Sequence, residues 1–528
     1  MRRERYPVFN LKGQSTSSAR EGFDLRRALG LLQIVLILLA PSIWLLATIP
    51  PLWRDADAYH QLLFSPARAT LEGHGMLYGM VARIPLYLGA WFEGVLPNES
   101  FFNHARLTDT GILLLIAGQH LALCVGAFAL VITATQSLWC RIFLALFFAG
   151  NSIFYTLAHC VGSETLSLLC TLALTVAGLR LLKSPRRLRR WIFFALALLA
   201  CILTRYANLF LLLPLPLAFL LLAAQRRSVH PLRPAAIAFV IGLLCLGTAR
   251  LAVGALCAST GHPYYPRGGF TFLWRLKFLE SIPEPRRSEL LDEVNARTKS
   301  GRAQEVISTL REMLKNGEPL SPFPMYYRFR AALSSPEQPI SNRHFYLALN
   351  TTARAFLRPP TREHWRAAEH DFAMALQMPM SVVSTTFFVT TVFCFEHRED
   401  LPELMTLSTF RNYTAGDLMN IATSRLYVTA GKNLSLGSAM IIWGIIAIVT
   451  VFAGRTGTDV TPILFYGLAL VITAVLILQA TALLIDLAPR YTLPLWEMLW
   501  LASMIYLGAI ADALVRRNEK TAGQQQLG

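Results

Sequence analysis

Two carboxylates, Asp55 and Asp57, stand two residues apart in the stretch PLWRDADAYHQLLF at 51–64, with Tyr59 and His60 behind them. The stretch follows an apolar run long enough to cross a membrane. Acids in such a place can do two kinds of chemistry. One carboxylate can take a proton from an attacking hydroxyl as general base. Two together can hold a hard divalent cation, Mg or Mn, through their oxygens. Local conformation separates the two cases. On a helix, Asp55 and Tyr59 share a face while Asp57 points away. In a loop both acids reach one cation. A single acid here would be an ordinary polar helix end; the pair with a tyrosine favours chemistry.

Other candidates lie far along the chain. Glu164 sits beside His159 and Ser163 at the start of an apolar run, and Glu164 and His159 are candidate substrate contacts. An ionisable group there reads as functional, and as a third candidate cation ligand. Ser163 and Glu164 also suit the first turn of a helix, where an acid meets the positive end of the dipole. Arg205 and Arg490, with Tyr491 next to it, flank apolar runs. A guanidinium donates two parallel hydrogen bonds to a phosphate; it also serves as an interfacial anchor. His74 and Tyr78 share one face of GHGMLYGM and are candidates to line an acceptor path or to pack. His344, His364 and His370 read as ordinary surface residues. No phosphate loop, dinucleotide fingerprint or nucleophile elbow is present, so nucleotide hydrolysis and serine hydrolysis have no support.

These residues must be positioned by membrane helices. Of 528 residues, 54% are hydrophobic and only 15% charged. That composition belongs to a polytopic membrane protein. Spans are expected at about 29–50, 110–133, 139–158, 162–182, 191–204, 206–224, 235–257, 437–454, 460–485 and 491–513. Arg205 interrupts one continuous apolar run. A lone arginine at mid-membrane costs about 2.5–3.5 kcal/mol, so the run is expected to turn there, as a tight hairpin.

The net charge of +17 does not imply nucleic acid. Residues 258–436, the longest polar stretch, hold 21 Lys and Arg against 17 Asp and Glu. Most of the excess lies in short segments such as MRRER, KSPRRLRR, QRRSVHPLRP and VRRNEK. With ten spans and a cytoplasmic N-terminus, all four fall inside, as the positive-inside rule requires. Residues 51–109, 258–436 and 486–490 then face outward. The expected organisation is an N-terminal membrane module at 1–257, with surface helices in its first outer loop at 51–109. A mainly helical extracytoplasmic domain follows at 258–436, then C-terminal spans and a tail at 437–528. The cysteines lie mostly in apolar runs and do not suggest a disulfide framework or a zinc site.

The order of features resembles a family. After the first span come the acidic motif and GHGMLYGM…PLYLG; then GSETLSLLCTLALTVAGLRLL, LTRYANLFLLLP and, near the C-terminus, PRYTLPLWEMLW. This is similar to the GT-C superfamily of membrane glycosyltransferases. That superfamily includes lipid A aminoarabinose transferases, protein O-mannosyltransferases and rhizobial galacturonosyltransferase-like proteins. The resemblance covers about 25–257 and 437–513 and leaves 258–436 without a counterpart. It implies an all-α bundle in a bacterial inner membrane, working in the cell envelope. It implies transfer of a sugar from a polyprenyl-phosphate carrier, on the outer side, to a lipid, glycan or protein acceptor. It implies an acid at the start of the first outer loop as base. Asp55 matches that position, with Tyr59 at the family's spacing. Ala56 stands where a second acid often is, and Asp57 is the candidate to replace it. Two other classes compete. An O-antigen ligase- or polymerase-like enzyme also pairs spans with a large outer segment. A transporter or lipid-handling protein would place its polar site at mid-membrane rather than at an outer interface.

Overall fold

The computed structural model describes residues 17–54, 62–63, 75–98, 100–101, 105–226, 230–261, 264–265, 267–335, 338–396, 403–417, 420, 431–454 and 459–525. The protein is an all-α polytopic membrane protein. Among the described residues, eight helices are long and apolar enough to cross a membrane: Arg27–Thr48, Asp109–Ala134, Ser163–Lys183, Ala207–Arg226, Leu232–Ser259, Leu436–Gly454, Thr461–Leu484 and Pro489–Asn518. They lie where eight of the ten expected spans were placed. The other two differ. The segment expected as one span at 139–158 is two helices, Leu138–Ala149 and Ser152–Ala158, bent by 67°. Asn151 accounts for the break: its side chain accepts from Phe154 N–H at 3.2 Å and starts a new helix. The segment expected at 191–204 is a 17-residue helix, Leu188–Thr204, whose first turn carries two arginines.

In chain order the membrane module comprises α1 (Ser17–Thr48), β1 (Leu52–Trp53), α2 (Met76–Val81), α3 (Arg83–Phe92), α4 (Asp109–Ala134), α5 (Leu138–Ala149), α6 (Ser152–Ala158) and β2 (Cys160–Val161). It continues with α7 (Ser163–Lys183), α8 (Leu188–Thr204), a 3-10 turn (Tyr206–Leu212), α9 (Pro214–Arg226) and α10 (Leu232–Ser259). Lipid tails are as apolar as leucine, so close packing rather than hydrophobicity holds such helices together. Small residues permit it. A Cβ on Gly178 would lie 2.1 Å from the Tyr466 hydroxyl, and one on Gly467 would lie 2.4 Å from the Tyr506 ring.

A helical cap follows. It contains α11 (Gly268–Phe272), a 3-10 segment (Leu273–Ser281), α12 (Arg286–Ala296), α13 (Gly301–Lys315), α14 (Pro322–Ala332), α15 (Asn342–Leu357) and α16 (Arg362–Gln377). Its own core includes Leu290, Val294, Ile307, Leu310, Phe329, Phe345 and Phe356. Helix α13 shows why it folds: Ala303, Val306, Ile307, Leu310 and Met313 are buried at helical spacing. Gly317 at φ +67° ends that segment, and Glu318 N–H returns to the Met313 carbonyl at 2.9 Å.

The chain then re-enters the bundle. In α17 (Met380–Glu396), Val383, Phe387 and Phe388 join the core of the membrane helices. The last helices are α18 (Ser408–Arg411), α19 (Leu436–Gly454), α20 (Thr461–Leu484) and α21 (Leu493–Gln525), with a 3-10 turn at Pro489–Thr492. Two polar contacts tie the cap to the end of α20 and the residues just after it. Arg275, 1% exposed, pairs with Asp371 and lies 3.5 Å from Asp486. His364 is fully buried rather than a surface residue. Its Nε2 donates to the Leu483 carbonyl at 2.8 Å and its ring stacks on Phe278 at 5.1 Å. Thr361 explains the burial: its side chain caps α16 through His364 N–H, so the imidazole enters the first turn on the inner side.

Candidate functional site

A cleft of about 580 Å³ opens where the bundle meets the cap. Arg54, Ser163, Arg205, Tyr264, Arg267 and Tyr491 form its polar wall. Phe210, Ile477, Leu484 and Ile485 form its apolar wall. The site is assembled from six separate stretches of chain, around Arg54, Gly75, Ser163, Arg205, Arg267 and Leu484.

Arg54 is placed by a two-residue parallel ladder, in which Leu52 pairs with Cys160 and Trp53 with Val161. Leu52 N–H donates to the His159 carbonyl at 3.0 Å and Arg54 N–H to the Val161 carbonyl at 3.1 Å. Behind the ladder, His159 Nε2 donates to the carbonyls of Ile49 (2.9 Å) and Pro50 (3.1 Å). That fixes its tautomer: Nδ1 must accept, and it does so from His120 Nε2 at 3.1 Å. His120 Nδ1 in turn accepts from Ser42 at 3.0 Å. His159 is therefore a buried brace for the strand bearing Arg54. It does not line the cleft, contrary to the substrate contact expected of it.

Glu164 occupies the first turn of α7, where the helix dipole favours negative charge. It is 3% exposed. Its Oε1 lies 3.3 Å from Arg54 Nη1 and 3.4 Å from Arg205 Nη1. Arg205 follows α8 in extended conformation, φ −152° and ψ 139°, so the apolar run does turn here. Asn208 holds the turn by donating to Ser167 and to the Cys201 carbonyl, both at 2.9 Å. Gly75 packs on the same turn: a Cβ would sit 1.9 Å from the Thr204 carbonyl oxygen, so no larger residue fits. Tyr78, three residues on, is 2% exposed and lies behind the cleft wall, where burial pushes its phenol above the ordinary value. It packs rather than lines a path.

Two sides of the cleft come from elsewhere. The Arg267 guanidinium lies 4.7 Å above the Tyr346 ring, and its buried Nε has no hydrogen-bond partner among the described residues. Tyr491 forms part of the wall, and Arg490 stacks on it, 5.2 Å from the ring centroid, with Nη2 3.3 Å from the Tyr491 hydroxyl. Glu497, 5% exposed in α21, is within Coulombic reach of Arg205 and Glu164.

Of the residues singled out from the sequence, Ser163, Arg205 and Tyr491 line the cleft, with Glu164 buried behind Arg205 and Arg490 stacked on Tyr491. Asp55, Asp57, Tyr59 and His74 lie outside the described residues. Arg54, Arg267 and Glu497 were not foreseen. Glu497 carried a legible signal, an acid inside an apolar run. Arg54 adjoined the acidic motif, and Arg267 carried no signal.

The charge pattern bears on the cation expected at Glu164. Its carboxylate faces two guanidiniums, which repel a divalent ion, so these residues do not fit a metal there. Among the described residues no cluster of three or more His, Cys, Asp or Glu could hold one. What the arrangement can do is bind an anion: three arginines line the cleft, two of them held by the buried carboxylate of Glu164. The apolar wall beside them suits a lipid. Comparison with protein-family models and with curated protein sequences finds no match for this chain.

Proposed function

We propose that the protein is a GT-C-type glycosyltransferase that moves a sugar from a polyprenyl-phosphate carrier to an acceptor on the outer side of the membrane. The observation that carries the reading is the cleft, which Arg54, Arg205 and Arg267 line together with the apolar Phe210, Ile477, Leu484 and Ile485. A phosphate esterified to a long apolar chain satisfies both walls at once. The polar groups gather at the ends of α7 and α8 rather than at their middles, which favours transfer over transport.

The reaction follows from the groups. The acceptor hydroxyl attacks the anomeric carbon and a new glycosidic C–O bond forms. The bond between that carbon and the phosphate oxygen breaks, and its electron pair stays on the phosphate. Guanidiniums aimed at that oxygen stabilise the charge that develops on it. The hydroxyl proton passes to a carboxylate. Asp55, next in sequence to Arg54, is the proposed base, and Asp57 its support. Glu164 holds Arg54 and Arg205 in register instead of touching substrate.

In this reading the chain crosses the membrane ten times, with the bent pair and the Leu188–Thr204 helix as the third and fifth passages. Both termini are cytoplasmic, the cap is extracytoplasmic, and the membrane is a bacterial inner membrane. The test is incubation of the purified protein with a panel of radiolabelled polyprenyl-phosphate sugars. One member should yield free lipid phosphate and labelled acceptor. Intact donors throughout, with an acceptor-rich membrane extract present, would refute the reading.

A further inference from the structure

A second cavity, of about 400 Å³, lies at the other end of α7. Ala177, Arg180, Arg189, Arg190 and Phe193 line it. Arg180 is 16 residues from Glu164 along one helix, so the two sites are separated by about 24 Å of helix rise. The charged groups acting on Arg190 are Arg187, Arg189 and Arg180, all of its own sign. Arg190 is held in place by donating through Nη1 to the Arg180 carbonyl, at the negative end of α7. Neighbouring cations are treated differently: Lys183 and Arg141 both feel Asp512. No ion pair between a carboxylate and Arg180, Arg187, Arg189 or Arg190 forms among the described residues. Like charges gathered around a cavity without an acid call for an external anion.

The cavity continues into an apolar surface. Leu188, Ile192 and Leu196 recur every four residues on α8 and are 73%, 52% and 61% exposed, with Phe193 at the cavity itself. In the ten-passage reading α8 crosses the membrane, and such a strip on it faces acyl chains.

We propose that this notch binds the headgroup of an anionic phospholipid, with the phosphate between Arg180, Arg189 and Arg190 and the acyl chains along Leu188, Ile192 and Leu196. Charge and apolar surface commit the site to a lipid: a free phosphate would leave the strip unused, and a zwitterionic lipid would bring its own cation. The site is independent of the transfer reaction, because it shares no residue with the cleft.

Binding is measured on the full-length protein by native mass spectrometry. Phosphatidylglycerol and phosphatidylcholine with identical chains are each added to the detergent-solubilised protein. Phosphatidylglycerol should be retained at about tenfold lower concentration. The double substitution Arg180→Gln, Arg189→Gln should erase that preference; both residues are exposed, so the fold should persist. The control is Arg186→Gln, Arg187→Gln, which removes the same charge from the turn between α7 and α8 but none from the cavity wall. It should keep most of the preference, and inorganic phosphate should not displace the lipid. Equal retention of the two lipids by the wild type would overturn the proposal. Equal loss in both double variants would overturn it too, by reducing the site to diffuse surface charge.

Discussion

Helix α7 has arginines gathered at both ends, and the two groups differ by one acid. At the first end Glu164, 3% exposed, draws Arg54 and Arg205 together from positions 110 and 41 residues away in sequence. At the last end Arg180, Arg189 and Arg190 gather with no carboxylate partner among the described residues. A shared acid removes the repulsion between two guanidiniums and fixes where each points, at the cost of desolvating all three. Arginines without one stay exposed and keep their full field for a ligand that brings its own charge. The first arrangement suits chemistry that needs fixed donors. The second suits recognition of a headgroup that can adjust.

The contrast predicts that chemistry belongs to one end only. Asp55→Asn keeps size and removes the proton acceptor. It should slow sugar transfer by about 100- to 10,000-fold, whereas Arg180→Gln, Arg189→Gln should leave the rate within about twofold. Wild-type transfer by Asp55→Asn together with a dead Asp57→Asn would exchange the roles of the two acids. Full activity in both would remove the base from this stretch altogether.

Next in size is Glu164→Gln. It removes the buried carboxylate that Arg54 and Arg205 share, and should lower stability by about 3 kcal/mol. Thermal unfolding in detergent is the measurement. An unchanged midpoint would show that Arg54 and Arg205 find other partners, and that the acid is not what distinguishes the two ends.

The joint between cap and bundle brings a pH dependence to the cleft end. Burial lowers the His364 pKa to about 4. The folded protein therefore favours neutral imidazole, and the unfolded chain takes the proton first as pH falls below its ordinary 6.5. Stability should be level above that value and decline between 6.5 and about 4, by about 2 kcal/mol at pH 5. His364→Gln should flatten that decline. A variant that loses stability on acidification as steeply as wild type would place the titrating group elsewhere.

The smaller effects rank arginines within the cleft end. Arg205→Ala removes a wall donor already oriented by Glu164, and should weaken donor binding by about 10- to 100-fold. Arg490→Ala removes a guanidinium stacked on Tyr491, worth about 0.5–1 kcal/mol, and should cost only a few-fold. Arg490→Lys should cost less again, because charge survives without the fork. The reverse order would make Arg490 the principal phosphate ligand.

Particular residues show how far the sequence could be read. Arg205 was legible because an arginine inside an apolar run is expensive, and a turn relieves the cost. Glu164 was legible because acids are rare at such places. His159 lay in the same short stretch but proved a brace, since what a histidine does depends on the atoms facing its two nitrogens. His364 looked like a surface residue because helical spacing in α16 marks no apolar face around it. Phe272 and Phe278, which enclose it, lie about 90 residues upstream.

By itself, the sequence determined the membrane class and nearly all the positions of the long helices. Hydropathy over about 20 residues is a local property, and the lipid reads it locally. It also fixed the ends of those helices, where Glu164 and Arg205 stand. Only the tertiary structure decided which charges meet. It made Arg54 and Arg205 partners of one acid, brought Arg267 of the cap to the same cleft, and gathered Arg180, Arg189 and Arg190 around a cavity with no carboxylate partner among the described residues. Those outcomes depend on how helices pack side by side. Packing is set by small residues such as Gly75 and Gly178 against particular neighbours, and pairs of surfaces far apart in the chain leave no periodic trace along it.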